Sequence, residues 1–121
     1  MPTPSGHTDA IRASRVIGTT VYNTSGDNIG EIEDVILEKT ANDIMFAVVG
    51  FGGFLGIGEK FHAIPWSVLD YDPERGGYVV PFTKEQLKAA PAYGIDELTK
   101  DDGYGARETS FKYYNVDPYW Q

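Results

Sequence analysis

Four turn-forming clusters divide the sequence between Ser14 and Pro81 into runs too short for long helices: NTSGDN at 23–28, KTAND at 39–43, a glycine run spanning 50–58, and PERGG at 73–77. Asn, Asp, Ser and Gly supply the local hydrogen bonds and positive φ angles that reverse a chain, so each cluster ends one extended run and begins the next. The runs between them, RVIGTTVY, IGEIEDVILE, IMFAVVGF, KFHAIPW and YVVP, are rich in β-branched and aromatic residues. The expected fold class is therefore mainly β, a small antiparallel β-barrel of about five or six strands.

Finer patterning adds detail. In IGEIEDVILE, Ile29 and Ile32 are three apart, whereas Val35 and Leu37 follow a period of two. One strand keeps all four on one face only if an extra residue is inserted, which predicts a β-bulge near Glu33 and Asp34. IMFAVVGF (44–51) is almost continuously apolar and reads as a central, well-buried strand. Pro65 cannot donate to a ladder, so KFHAIPW belongs at an edge or ends there. Thr83 with Gln86 forms a capping box that opens a short helix, TKEQLKAA, stopped by Pro91. The organisation expected is a flexible tail over 1–13, a barrel domain over 14–93, and an extension over 94–121. That extension is polar first, and its end, SFKYYNVDPYW, is dense in aromatic residues. Aromatics at such density are seldom left in water, so the tail should dock on its own barrel or on a neighbouring subunit.

The glycine run VVGFGGFLGIGEKFHAIPW (48–66) is tested first as a phosphate cradle. Gly53 and Gly58 have the spacing of GxxxxGK[ST], but Glu59 occupies the lysine position and would repel a phosphate. GxGxxG fails as well, since Leu55 and Phe61 stand where the third glycine is needed. The run is then a hairpin connection, with Phe51, Phe54, Leu55 and Ile57 either plugging the barrel or forming an apolar interface patch.

Charge and composition narrow the function. The formal net charge of −8 repels nucleic acid and leaves contact with other proteins open. Cysteine is absent, which removes disulfides, thiolate metal sites and a cysteine nucleophile. The first residues carry neither a basic n-region nor an apolar h-region, and no stretch approaches the roughly 20 apolar residues of a membrane span. The expectation is a cytoplasmic protein, touching the inner membrane face peripherally if at all. His7 lies in the tail and His62 in a strand, no paired histidines occur, and GxSxG is missing. No catalytic residue, cofactor or metal ligand is assigned. A small-ligand or hydrolase site at the barrel mouth near Glu59, His62 and Trp66 is the enzymatic alternative.

Ile17-Gly18, Val21-Tyr22, Gly26, Ile29-Gly30, Ile32, Asp34 and Ile64-Pro65-Trp66, together with the glycine run, resemble the PRC-barrel domain over roughly residues 14–93. That domain is shared by the cytoplasmic part of the photosynthetic reaction-centre H subunit and the C-terminal part of a bacterial ribosome-maturation factor. The resemblance implies a binding or assembly module with no family catalytic residues to carry over, and free-standing members look like self-associating proteins. These 121 residues resemble neither the transmembrane helix of the H subunit nor the RNA-related domain of the maturation factor, so neither job is expected to transfer. The partner expected is a second copy of the chain, forming a homodimer, or an unidentified protein. The interface would comprise Phe51, Phe54, Leu55, Ile57, Tyr113, Tyr114, Tyr119 and Trp120, with Gly18, Gly26, Gly30, Asp34, Pro65 and Trp66 shaping the turns and barrel. A peripheral role in a membrane electron-transfer complex is a second reading implied by the family alone.

Overall fold

The computed structural model describes residues 10–51 and 60–120, and of Phe51 only the backbone. One helical turn, α1 (Ala13–Val16), leads into β1 (Thr20–Asn23) and β2 (Asn28–Glu38). β3 (Asp43–Phe51), β4 (His62–Pro65), β5 (Asp70–Asp72) and β6 (Gly77–Val80) follow, with a 3₁₀ turn over Trp66–Val68. The chain ends in α2 (Lys84–Ala89), a 3₁₀ turn at Ile95–Leu98, and α3 (Tyr104–Tyr113). Among the described residues the strands form one six-stranded sheet in the order β4-β3-β2-β1-β6-β5. No helix of the described residues is long and apolar enough to cross a membrane.

The turn clusters at 23–28, 39–43 and 73–77 act as read. Asn23 is buried and its Oδ1 accepts from the N–H groups of Ser25 (3.1 Å) and Asp27 (3.0 Å), which folds β1 back onto β2. Gly18, Gly26 and Gly30 all have positive φ, at 89°, 88° and 154°. The bulge is present: the register of β2 against β3 shifts between Ile32 and Asp34, where Asp34 Oδ1 accepts from Val35 N–H at 2.8 Å. A second shift between Ile36 and Leu37 corrects the expected Val35/Leu37 periodicity. Val35 packs on the core, whereas Leu37 is 62% exposed. Pro65 is the last residue of β4, an edge strand. The capping box is complete: Thr83 Oγ1 accepts from Gln86 N–H at 3.1 Å, and Gln86 Oε1 from Thr83 N–H at 2.9 Å.

Two details differ from the expected barrel. RVIGTTVY is not one strand, because Ala13–Val16 coils and β1 starts at Thr20. Gly18 at φ 89° takes the chain from one to the other, and the coil lets Val16 reach the core. The sheet is also not wholly antiparallel, since β1 and β6 pair in parallel through Val21–Tyr78, Tyr22–Val79 and Asn23–Val80. Gly77 makes that pairing possible: a Cβ there would lie 2.5 Å from the Thr20 carbonyl oxygen and 2.8 Å from the Tyr22 ring. β4 and β5 remain edges, so the curled sheet is barrel-like without closing its hydrogen-bonded ring.

The sheet buries both of its faces. The inner core draws on every long strand, with Val21, Ile29, Ile32, Ala47, Val49, Ile64, Tyr78 and Val80 joined by Leu87 and Ala90 around α2. The second core holds Met45, Phe46, Val48 and Ala63 of β3 and β4 against Phe61, Leu98 and Ala106. From Phe46 to Val49 successive residues of β3 therefore enter different cores, which is why that stretch is apolar without interruption. The cover for the outer face is the C-terminal extension. Phe61 and Tyr93 exchange backbone hydrogen bonds of 2.7 and 2.8 Å beside the start of β4, and α3 then lies against β4. Gly103, at φ 81°, precedes α3, and a Cβ there would come 3.2 Å from Met45 Cε.

Candidate interaction surface

The first half of the expected interface surrounds the β3–β4 connection. Phe51 ends β3 opposite Gly30, and the chain returns as an antiparallel neighbour through pairs from Val49–His62 to Phe46–Pro65. The side chains of Phe51, Phe54, Leu55 and Ile57 lie outside the described residues. What the structure defines is where the connection leaves and re-enters the sheet.

The second half divides. Tyr114 is only 8% exposed and packs in the inner core with its ring 4.6 Å from that of Phe82, so it offers no surface to a partner. Burial raises its phenol pKa well above the ordinary value. Tyr113 is exposed and ties α3 to α2 by donating its hydroxyl to the Gln86 carbonyl at 2.6 Å. Tyr119, 36% exposed, and Trp120 fold back onto α3.

They meet there in an arrangement that the sequence does not announce. Arg107 is buried, and its Nη1 donates to Glu38 Oε1 (3.1 Å), the acceptor at the end of β2, and to Tyr119 Oη (3.2 Å). The Tyr119 hydroxyl donates to the same Glu38 oxygen at 3.1 Å. The rings of Trp120 (3.8 Å), Tyr104 (4.5 Å) and Tyr119 (5.6 Å) surround the guanidinium carbon. Trp120 also meets Phe111 edge to face at 4.9 Å. The chain thus fills an aromatic cage with its own cation, the geometry in which a desolvated cation–π contact is strongest. Burial raises the Tyr119 hydroxyl pKa, partly offset by the hydrogen bond from Arg107. Arg107 Nε is buried and, among the described residues, has no hydrogen-bond partner. Beside the cage runs an open groove of about 400 Å³ between α3 and the returning tail, lined by Phe111, Lys112, Val116, Pro118 and Trp120 among others.

Further exposed apolar side chains lie at the hairpin end of β2 and β3. Leu37 and Ile44 are register partners, so they share a face, and Ile44 is 37% exposed. Tyr104, also exposed, reaches the same hairpin through Glu38 at 3.5 Å.

Of the residues of the enzymatic alternative, His62 and Trp66 stand at opposite ends of β4. His62 is buried at one end of β4, and its pKa is lowered by burial, against a hydrogen bond to the Pro91 backbone. Trp66 follows the other end of β4 and packs on the inner core, 5.7 Å from the Tyr78 ring. Glu59 lies outside the described residues. Among the described residues no group of three or more His, Cys, Asp or Glu side chains is placed to hold a metal ion.

No curated protein matches the chain. The family model of the PRC-barrel domain matches residues 8–87, about two thirds of the chain. That span takes in all six strands of the sheet, the bulge at Asp34 and the close approach at Gly77. With its curled sheet, and with Gly18, Gly26, Gly30 and Ile64-Pro65-Trp66 at the turns and edge described, the chain belongs to the PRC-barrel domain family.

Proposed function

We propose that this chain is a non-enzymatic assembly module that self-associates, presenting the β3–β4 connection to a second copy of itself. The observation that carries this reading is the connection's composition: from Gly50 to Gly58 every residue is glycine or apolar, with Phe51, Phe54, Leu55 and Ile57 spaced along it. The strands on either side are paired from Phe46–Pro65 to Val49–His62, so a rigid sheet carries that segment at one end. Membership of the PRC-barrel family supports an interaction role in general terms. A formal charge of −8 opposes chance association, so contact between copies must come from a local apolar surface.

Light scattering tests the reading. Wild type should have twice the 13.3 kDa chain mass, and a Phe54→Asp/Leu55→Asp double variant should have the mass of one chain while keeping its thermal transition. A wild type that stays monomeric at high concentration removes the proposal.

A further inference from the structure

We propose that the C-terminal strap, Asp117–Trp120, is a releasable arm that two copies exchange, each copy's Tyr119 and Trp120 closing on the other's Arg107 and Glu38. The inference deepens the self-association reading and rests on it, but it assigns a different part of the molecule to the contact.

Three independent features of the closed strap point this way. Its hold is made by side chains at its very end: the Tyr119 hydroxyl on Arg107 and Glu38, and the Trp120 ring on Arg107 and Phe111. Between that hold and α3 the fit is loose, because the groove of about 400 Å³ lies along the strap and includes Pro118 in its wall. In the closed position Arg107 Nε is buried and, among the described residues, has no hydrogen-bond partner, an arrangement that costs free energy.

The strap begins where the helix end is already secured. Val116 N–H donates to the Phe111 carbonyl at 2.9 Å, Asn115 adopts φ 56°, and Val116 packs on the inner core. Opening from Asp117 onward therefore leaves both cores intact, and Pro118 keeps Asp117 extended. A second copy is the occupant that fits: its strap carries the same hydroxyl and indole, and it makes with the vacated cage every contact that the closed form makes. Exchange of an identical element costs little beyond the association itself.

The experiment uses full-length chains throughout. Wild type should dimerise in light scattering, and Tyr119→Ala/Trp120→Ala should run as a monomer with its thermal transition kept. An equimolar mixture of that variant with Arg107→Ala should then recover a heterodimer, because one intact cage receives one intact strap. Should Arg107→Ala not fold, Glu38→Gln takes its place as the chain with the weakened cage. A dimer that persists in Tyr119→Ala/Trp120→Ala but is lost in Phe54→Asp/Leu55→Asp overturns the exchange and leaves the self-association reading standing. A monomeric wild type overturns both, and monomeric behaviour of the mixture overturns the exchange alone.

Discussion

The two faces of β3 are buried by different means. Its inner face meets a largely aliphatic core contributed mainly by the strands, within the stretch matched by the family model, with Leu87 and Ala90 added around α2 and Tyr114 added from just beyond α3. Its outer face is covered by Leu98 and Ala106, which lie beyond that stretch, while Arg107 and Ser110 of the same helix are buried polar residues. The inner face is mainly a consequence of curling a sheet, with one ring lent by the extension. The outer face is apolar in Phe46 and Val48 only because a C-terminal layer exists to meet it. A family barrel thus carries, in this chain, a structural dependence on residues outside the family span.

The largest test of that contrast removes the outer layer. A chain ending after Tyr93 exposes Met45, Phe46 and Val48, and it should lose its cooperative thermal transition; an unchanged melting curve would reduce the extension to decoration. Next in size, Phe46→Ala should lower unfolding free energy by about 3–5 kcal/mol, and Ile64→Ala on the inner face by about 2–5 kcal/mol, both read from denaturant melts. Similar losses on the two faces mean that both are true cores, and a negligible loss for Phe46→Ala breaks the comparison. Glu38→Ala leaves the Arg107 guanidinium buried without its carboxylate and should cost about 3 kcal/mol. Thr83→Ala removes only the cap of α2 and should cost about 1 kcal/mol.

The smallest effect is one of pH. His62 is held below its ordinary value of 6.5 by burial, so the unfolded chain binds its proton first as pH falls. The stability tied to neutral His62 is complete above about pH 6.5 and declines below it, with a slope of at most about 1.4 kcal/mol per pH unit. His62→Gln should flatten that slope in melts taken between about pH 7 and 5.

Much of the barrel was legible because its signals are local. The Ile29–Ile32 spacing called for the bulge found at Asp34, Pro65 marked the end of an edge strand, and Thr83 with Gln86 marked the start of α2. The parallel contact of β1 with β6 was not legible, since nothing local in YVVP states its partner's direction. α3 escaped for another reason. Its buried residues are Ala106, Arg107, Ser110 and Phe111, and an arginine and a serine on the inward face erase the apolar periodicity that reveals a helix. The density of aromatics predicts a docked ending, yet its anchor, Glu38, lies at the far end of β2, where nothing in the sequence singles it out. Density of aromatics thus told that the tail packs, but not that Tyr114 goes to the core while Tyr119 and Trp120 enclose an arginine.

The parallel contact also sets a timetable for folding. β1 through β4 are neighbours along the chain and can zip as successive hairpins, whereas β1 has no second partner until β6 arrives with Tyr78–Val80. During synthesis β1 therefore waits, one side unpaired, while the stretch from Asn23 to Gly77, nearly half of the 121 residues, emerges. The rate-limiting step of refolding should be the capture of β6, and slowing that capture, as an added methyl at Gly77 would, prolongs the interval in which the nascent sheet is open to aggregation.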